Sequence, residues 1–491
     1  MESLAGVPGG AGPDGPSPFV QHAVGARRAA RLLVLALLAF GCTRADLAGG
    51  ESGPNPEREP TGWNLVYVVI DTLRADHLGL YGHDSPTSPH LDAFASRAVV
   101  FEHAYSAAPW TKPSVASMFT SLFPPQHGVL EEGTQNRLSE SLTTLPEVLR
   151  EAGYRTMAIS ENPHVQPHTG FEQGFERFDR VRGFAKYKGQ AARGVAKAIS
   201  WLGEPAEAPF FLYLHLLDPH GPYTPSEPHA QHFLGGFPDE VTAGPDRRLA
   251  EGQVGVMVDG EELTIKLGGR RLAYLEGLYD TEIREVDDAL SEIFAFLSVA
   301  GLWEETVVLV TSDHGEEFLD HGSLRHGYRL YDESIRVPLL MAVPNRPAGR
   351  SRELAQHVDL APTLLSALGL AAPDAFQGRD LFGAESDGGG PRSIFSSTSW
   401  RGIDRCAVRR GDWKWIAHRD TGEMHLFNMR DDPAEQRDLL ADHPDLANEL
   451  EAAYVNATRT LPGVTPMDAS GDVDAGLEAE LQAIGYMGDD E

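Results

Sequence analysis

The 491-residue sequence predicts an α/β protein with a large, mainly parallel sheet flanked by helices and a smaller C-terminal α+β subdomain. Three observations lead there. Continuous apolar, β-branched runs stand at residues 64–70 (NLVYVVI), 210–217 (FFLYLHLL) and 306–310 (TVVLV), the pattern of strands buried on both faces. Helical patterns separate them, as in chains of strand–helix units. Each run leads into a polar cluster: Asp71, then Asp218-Pro219-His220, then Ser312-Asp313-His314. Ligands of open α/β sheets bind beyond the carboxyl ends of strands, so the clusters point to one site.

In chain order, the first element is an address. Arg27, Arg28 and Arg31 precede the apolar run LLVLALLAF at 32–40, and Gly41-Cys42 follows, in the order of an export signal. Nine apolar residues are too few to span roughly 30 Å of hydrocarbon as a helix. The end of the run, LLAFGC, resembles a bacterial lipoprotein signal with Cys42 as the lipidated residue. Residues 1–41 therefore read as an export/lipoprotein signal, which implies a periplasmic or cell-envelope protein held to the membrane by an N-terminal lipid anchor. Residues 42–62, rich in Gly, Pro and Glu, read as a flexible tether.

The main domain is expected over 63–390. Within it, residues 144–152 form a helical pattern with Thr144 as cap and Pro146 in the first turn. A longer helix with a Glu/Asp-laced face is expected at 272–297. Residues 225–270 look like an irregular insertion, with Gly/Pro turn signals and a small hairpin over 255–267. From about Arg392 the texture changes. SIFSSTSW, CAVRRGDWKWIAH and MHLFNM read as short antiparallel strands and 444–460 as a helix, which gives a subdomain over 391–460. The tail 461–491, with eight acids and no Lys or Arg, reads as partly disordered.

Composition limits the function. An apolar content of 41% allows a packed interior, and the net charge of −31 argues against nucleic acid, whose binding needs cations against phosphates. A small anionic ligand would need a locally positive site, which a bound metal could supply. Cys42 and Cys406 are the only cysteines, too few for a disulfide scaffold or an all-cysteine zinc site.

Asp71 and the pair Asp313-His314 suit a divalent cation, because oxygen ligands with one imidazole favour Ca²⁺, Mg²⁺, Mn²⁺ or Zn²⁺ over soft metals. Taken singly, each also has an ordinary role, as a helix cap or a core histidine. In Thr111-Lys112-Pro113-Ser114, the proline fits a first helical turn, which puts the Thr111 hydroxyl at a helix N-terminus among unpaired N–H groups. An alcohol is a weak nucleophile at neutral pH; metal coordination favours its alkoxide.

VIDTLRADHLGLYG (69–82), TKPSVASMFTSLFPPQHGV (111–129), AGYRT (152–156), LDPHGPY (217–223) and SDHGEEFLDHG (312–322) follow one another in the order seen in sulfatases. YDESIRVPLL (331–340), HVDLAPTLLSALG (357–369) and HLFNMRDDPAEQRDL (425–439) continue the series. The chain thus resembles the sulfatase family of the alkaline phosphatase superfamily. The resemblance implies Asp71, Asp313 and His314 as ligands of one divalent metal ion, Ca²⁺ as in many sulfatases, and Thr111 as nucleophile and further ligand. It implies His220 as the histidine facing the ester, while His326 stands where many relatives have a lysine on the bound oxyanion; either could hydrogen-bond the anion or protonate the leaving oxygen. It also suggests Lys112, Asn162 and His164 around the anion, and a small anionic ester as substrate.

The sequence departs from that family at three further places. Thr111 stands where formylglycine sulfatases have Cys or Ser, Val115 where they have Arg, and Thr72 where many have a second acidic ligand. Oxidised threonine would be a ketone, so the aldehyde-hydrate nucleophile cannot form, and a direct Thr alkoxide resembles the phosphotransferase and phosphodiesterase branches instead. The reading is a metal-dependent sulfuric or phosphoric ester hydrolase using Thr111. The alternatives are a phosphoryl-headgroup transferase on lipid or glycan, and a non-catalytic surface lipoprotein that binds anions.

Overall fold

The computed structural model describes residues 60–131, 136–181, 190–234, 249–250, 253–258, 261–266, 269–383, 391–459 and 467–468. The export signal with Cys42, most of the tether and nearly all of the acidic tail lie outside the described residues. A run with no polar face is stable only between two covering layers, and Asn64–Ile70 lies there, with all seven residues buried. Across the sheet the strands run Arg336–Val337, Val99–Tyr105, Leu339–Ala342, Thr306–Ser312, Asn64–Ile70, Phe210–Leu216, Arg155–Ser160 and Arg177–Arg180, and Gly349–Gln356 pairs with Val99–Tyr105.

The three runs singled out in the sequence are direct neighbours, paired in parallel, with Ile70 opposite both Ser312 and Leu216. Arg155–Ser160 extends the parallel part on the far side of Phe210–Leu216. On the other side, Leu339–Ala342 is antiparallel to both of its neighbours. The parallel strand from Thr306 runs to Ser312, two residues beyond the apolar run, so Asp313 is the first residue past its end.

Strand parity divides the core. Val66, Val68 and Ile70 pack with Val195, Ile199, Tyr279 and Leu290, from the helices Gln190–Leu202 and Gly269–Val299. Leu65, Tyr67 and Val69 pack on the opposite face with Val115, Phe119, Leu149 and Leu364, from the helices Thr111–Thr120, Leu145–Glu151 and Leu360–Ala367. Each such side chain contributes ~1.5–3 kcal/mol on full burial. Thr144 caps its helix as expected: its hydroxyl accepts from the Glu147 N–H while the Glu147 side chain accepts from the Thr144 N–H.

In the insertion the structure places strands at Leu249–Ala250, Gln253–Val258 and Glu261–Lys266, so the expected hairpin starts slightly earlier. The C-terminal subdomain is an antiparallel meander of Ser393–Trp400, Ile403–Arg410, Trp413–His418 and Glu423–Asn428. Helix Pro444–Ala457 covers one face through Ala447, Leu450 and Tyr454, and ends three residues before the expected limit. Among the described residues no helix is long and apolar enough to cross a membrane.

Candidate active site

The register of the sheet assembles the site. Because Ile70 pairs with Ser312, the next residues, Asp71 and Asp313, leave neighbouring strands at the same level. Asn162 follows Ser160, the last residue of Arg155–Ser160, and Ser160 pairs with His215. Four strands thus deliver polar side chains to one edge. Thr72, just past Asp71, has φ 55°, a left-handed conformation that costs a β-branched residue energy and turns the chain away sharply. Its N–H donates to Asp313 Oδ1 at 3.2 Å.

Thr111 opens its helix, as the proline spacing predicts, and is wholly buried. Its Oγ1 lies 3.3 Å from His314 Nε2 and 3.3 Å from the Asn162 amide nitrogen, and it hydrogen-bonds Asp313. The same Asn162 nitrogen donates to Asp71 Oδ2. Nε2 of His314 is 3.5 Å from Asp71 Oδ1 and 3.5 Å from Asp313 Oδ2. Its Nδ1 faces the Gly315 carbonyl at 2.9 Å, so that nitrogen carries the proton and Nε2 presents a lone pair. A brace holds the helix to the strand end: Ser114 Oγ donates to the Asp313 carbonyl at 2.6 Å and lies 2.8 Å from Nδ1 of His357, whose Nε2 donates to the Ser312 carbonyl at 3.0 Å.

His220 and His326 flank this centre. Their rings lie 5.0 Å apart, and His326 lies 4.4 Å from the His314 ring. Glu316 Oε1 meets Nδ1 of His326 at 3.1 Å. His164 is buried edge-on to Trp110, and burial together with the Lys112 charge lowers its pKa far below the usual histidine value. Lys112 is buried too, with Nζ donating to the Glu131 carbonyl at 3.2 Å. All nine residues read from the sequence as catalytic, binding or metal-ligating therefore belong to one neighbourhood. Asp71, Thr111, Asn162, Asp313 and His314 are linked by direct contacts, and Lys112, His164, His220 and His326 surround them.

Two residues escaped the sequence reading. His215 is wholly buried beside both carboxylates, and Glu316 is buried behind His326. His215 was hidden inside an apolar run. The signal was its polarity, since a lone imidazole in FFLYLHLL must find a partner when buried. Glu316 lies within a quoted motif but next to stronger ligand candidates.

The electrostatics are those of a cation site. Burial opposes the charge of Asp71, yet the His215, His220 and His314 imidazoles hold its carboxyl below the usual range. Burial and the charge of Asp71 push Asp313 well above that range. Burial lowers His314 to about 3 and His326 to about 4, and lowers His220 as well. Neutral imidazoles are the form that binds metal. Asp71 Oδ1, Asp313 Oδ2 and His215 Nε2 are buried without hydrogen-bond partners. Two adjacent buried carboxylates are costly without positive charge, so the residues fit a divalent cation. Thr72, with a buried hydroxyl that also has no partner, brings no acid to the set.

Comparison with known proteins identifies the family and the fold. Residues 63–370 match the Sulfatase family model, and residues 321–457 match that of the N-sulphoglucosamine sulphohydrolase C-terminal region. The multifunctional alkaline phosphatase superfamily protein PehA of Trinickia caryophylli is 26% identical over 395 residues, 65% of this chain and 76% of that protein. Arylsulfatase K of Bos taurus is 25% identical over 444 residues, covering 80% of this chain and 81% of its own. The crystal structure of the phosphonate monoester hydrolase of Agrobacterium radiobacter superimposes with a TM-score of 0.68 at 21% identity, over 80% of this chain and 95% of that one. Fold and site define an ester hydrolase of the alkaline phosphatase superfamily. Within it, the chain belongs to the sulfatase family.

Proposed function

We propose that the protein hydrolyses a small sulfuric or phosphoric ester through Thr111, with a divalent cation held by Asp71, Thr111, Asp313 and His314. The observation that carries this reading is the buried Thr111 hydroxyl at a helix N-terminus, in contact with His314, Asn162 and Asp313. When bound, the cation supplies Lewis-acid charge that favours the alkoxide and offsets charge on the ester. Thr111 Oγ1, having lost its proton to solvent, attacks sulfur or phosphorus in line. The bond to the alcohol oxygen breaks, and that oxygen takes a proton from water or from a neighbouring imidazole N–H. Water then attacks the ester formed on Thr111, releases the inorganic anion and restores the hydroxyl. The Asn162 amide orients both Asp71 and Thr111, and the Lys112 charge and the positive end of the Thr111 helix dipole favour an anion.

A sulfo-threonine lacks the hydrate's route for expelling sulfate, so phosphorus esters are expected to turn over faster. Similarity both to a multifunctional alkaline phosphatase superfamily protein and to Arylsulfatase K supports testing both ester classes. The test is a chromogenic panel of aryl sulfate, phosphate monoester, phosphate diester and phosphonate, with and without chelator. Intact mass is read on protein quenched during turnover. Chelator-sensitive hydrolysis with roughly 80 Da added to the peptide carrying Thr111 is the expected result for nucleophilic catalysis. A flat panel despite tight metal binding would favour an anion-binding lipoprotein. Placement in the cell envelope is part of the same proposal, and labelled fatty acid appearing on Cys42 would support it.

A further inference from the structure

We propose that His215 is a direct ligand of the cation at the Asp71–Asp313 pair, and that this second imidazole makes the site one for zinc rather than calcium. The inference rests on the metal-dependent reading above.

Four distances carry it. Nε2 of His215 lies 3.7 Å from Asp71 Oδ2 and 3.7 Å from Asp313 Oδ2. Nε2 of His314 lies 3.5 Å from Asp71 Oδ1 and 3.5 Å from Asp313 Oδ2. These separations exceed a hydrogen bond. They resemble the edges of a tetrahedron, about 3.3–3.6 Å, around a cation bonded to N and O at 2.0–2.2 Å. Asp313 Oδ2 is common to both imidazoles, and it has no hydrogen-bond partner.

The strand builds the orientation. His215 pairs with Val69 in one neighbour and with Ser160 in the other, one rung before the strand ends. By parity it shares a face with Phe211 and Tyr213, the face covered by the Thr111 helix. Tyr213, two residues earlier, sets its hydroxyl 3.0 Å from His215 Nδ1. With that oxygen accepting from Nδ1–H, the Nε2 lone pair points at the carboxylates, and Nε2 is wholly buried without a partner. An outer group that fixes the ring and tautomer of a metal-bound histidine is the usual arrangement.

The chemistry of the donors then selects the metal. Two imidazoles, two carboxylates and an alcohol form a mixed nitrogen–oxygen set. Calcium prefers six to eight oxygens, and imidazole favours zinc and its late first-row neighbours.

The experiment uses the full chain loaded with zinc. Zinc-edge X-ray absorption on the wild type counts imidazoles directly, and competition with a chromophoric chelator gives the zinc Kd of wild type and His215→Gln. Two imidazoles in the wild type and one in the variant are expected. The Kd should rise more than about 100-fold in the variant, beyond the roughly 10–100-fold cost of losing an outer partner, and millimolar calcium should not displace zinc from the wild type. One imidazole in the wild type overturns the assignment even if the variant does not fold, and so does an unchanged Kd or displacement by calcium. A wild type that takes up no stoichiometric zinc, calcium, magnesium or manganese overturns the metal-dependent reading itself, a different result from a metal site that lacks His215.

Discussion

Thr111 Oγ1 stands 3.3 Å from Nε2 of His314, so the first residue of a helix meets the first loop of a strand more than two hundred residues later in the chain. That contact makes Thr111 testable by its chemistry alone. Thr111→Ser keeps an alcohol at the helix start and is expected to retain measurable turnover. Thr111→Ala removes the proposed nucleophile and is expected to lower kcat by about 10³-fold or more. Steady-state hydrolysis of the best substrate in the chromogenic panel measures both. Turnover by Thr111→Ala within tenfold of wild type would remove the hydroxyl from the mechanism.

Asn162 ties two of the proposed ligands together, donating from one nitrogen toward Asp71 Oδ2 and Thr111 Oγ1. Its own carbonyl accepts from the His164 N–H at 2.7 Å, which fixes the amide's orientation. Asn162→Ala leaves buried acceptors without a donor, a loss of ~1–3 kcal/mol. The expected effect is a fall of about 5–150-fold in kcat/KM. Asn162→Asp is expected to be worse, since it adds a third carboxylate beside Asp71 and Asp313. Wild-type activity in Asn162→Ala would show that the amide's hydrogen bonds do not matter.

Burial pushes the Glu316 carboxyl up to about 7, and Glu316 meets Nδ1 of His326 at 3.1 Å. Below that pH the carboxyl keeps its proton and donates to Nδ1, so the ring's proton sits on Nε2 as a donor for an anionic ester. Above it the carboxylate accepts from Nδ1–H, and Nε2 becomes a lone pair that repels the anion. KM is therefore expected to rise as pH passes about 7, with kcat changing less. In Glu316→Gln the amide N–H can donate to Nδ1 at every pH, so the rise should flatten. A wild-type KM that does not vary from pH 6 to 8 would dissociate this pair from substrate binding.

The buried carboxylates predict an opposite pair of effects on stability. Asp313 is pushed well above the usual carboxylate range by burial and the charge of Asp71. Asp313→Asn replaces a carboxyl whose charged form is already disfavoured by burial and by Asp71, so the metal-free protein should melt at or above the metal-free wild type. The same change removes a proposed ligand, so added metal should no longer raise its Tm. For the wild type, metal at about a thousand times its Kd should add ~4 kcal/mol. Differential scanning calorimetry with and without chelator reads both signs.

How far the sequence could be read follows from where each residue sits. Asp71, Asp313 and His314 were visible because they interrupt apolar runs at strand ends, where parallel sheets gather ligands. Thr111 was visible through Pro113, which marks a first helical turn. His215 was not, because it lies one rung inside its strand and only the register with Val69 shows what it faces. The antiparallel insertion of Leu339–Ala342 between two main strands was also illegible, since a short apolar run carries no sign of direction. Glu316 needed the His326 loop to come back beside it, a contact that no local pattern encodes.

Lys414 joins the two parts of the molecule by charge. It projects from the meander strand Trp413–His418 and places its ammonium 2.8 Å from Asp332 Oδ1 and 2.8 Å from Glu435 Oε1, buried throughout. Asp332 belongs to the short helix Asp332–Ile335, next to the main sheet, and Arg409 lies 3.8 Å from its other oxygen. Burial lowers the Lys414 pKa, but the two carboxylates outweigh it and hold the ammonium charged. Removing one partner of such a group leaves uncompensated buried charge, a cost of ~3–5 kcal/mol. Lys414→Met is therefore expected to lower the urea midpoint strongly, and Lys414→Met with Glu435→Gln should recover part of the loss. Packing alone would give a different pattern. The two variants would then be equally destabilised, and that equality in equilibrium unfolding would refute the electrostatic account.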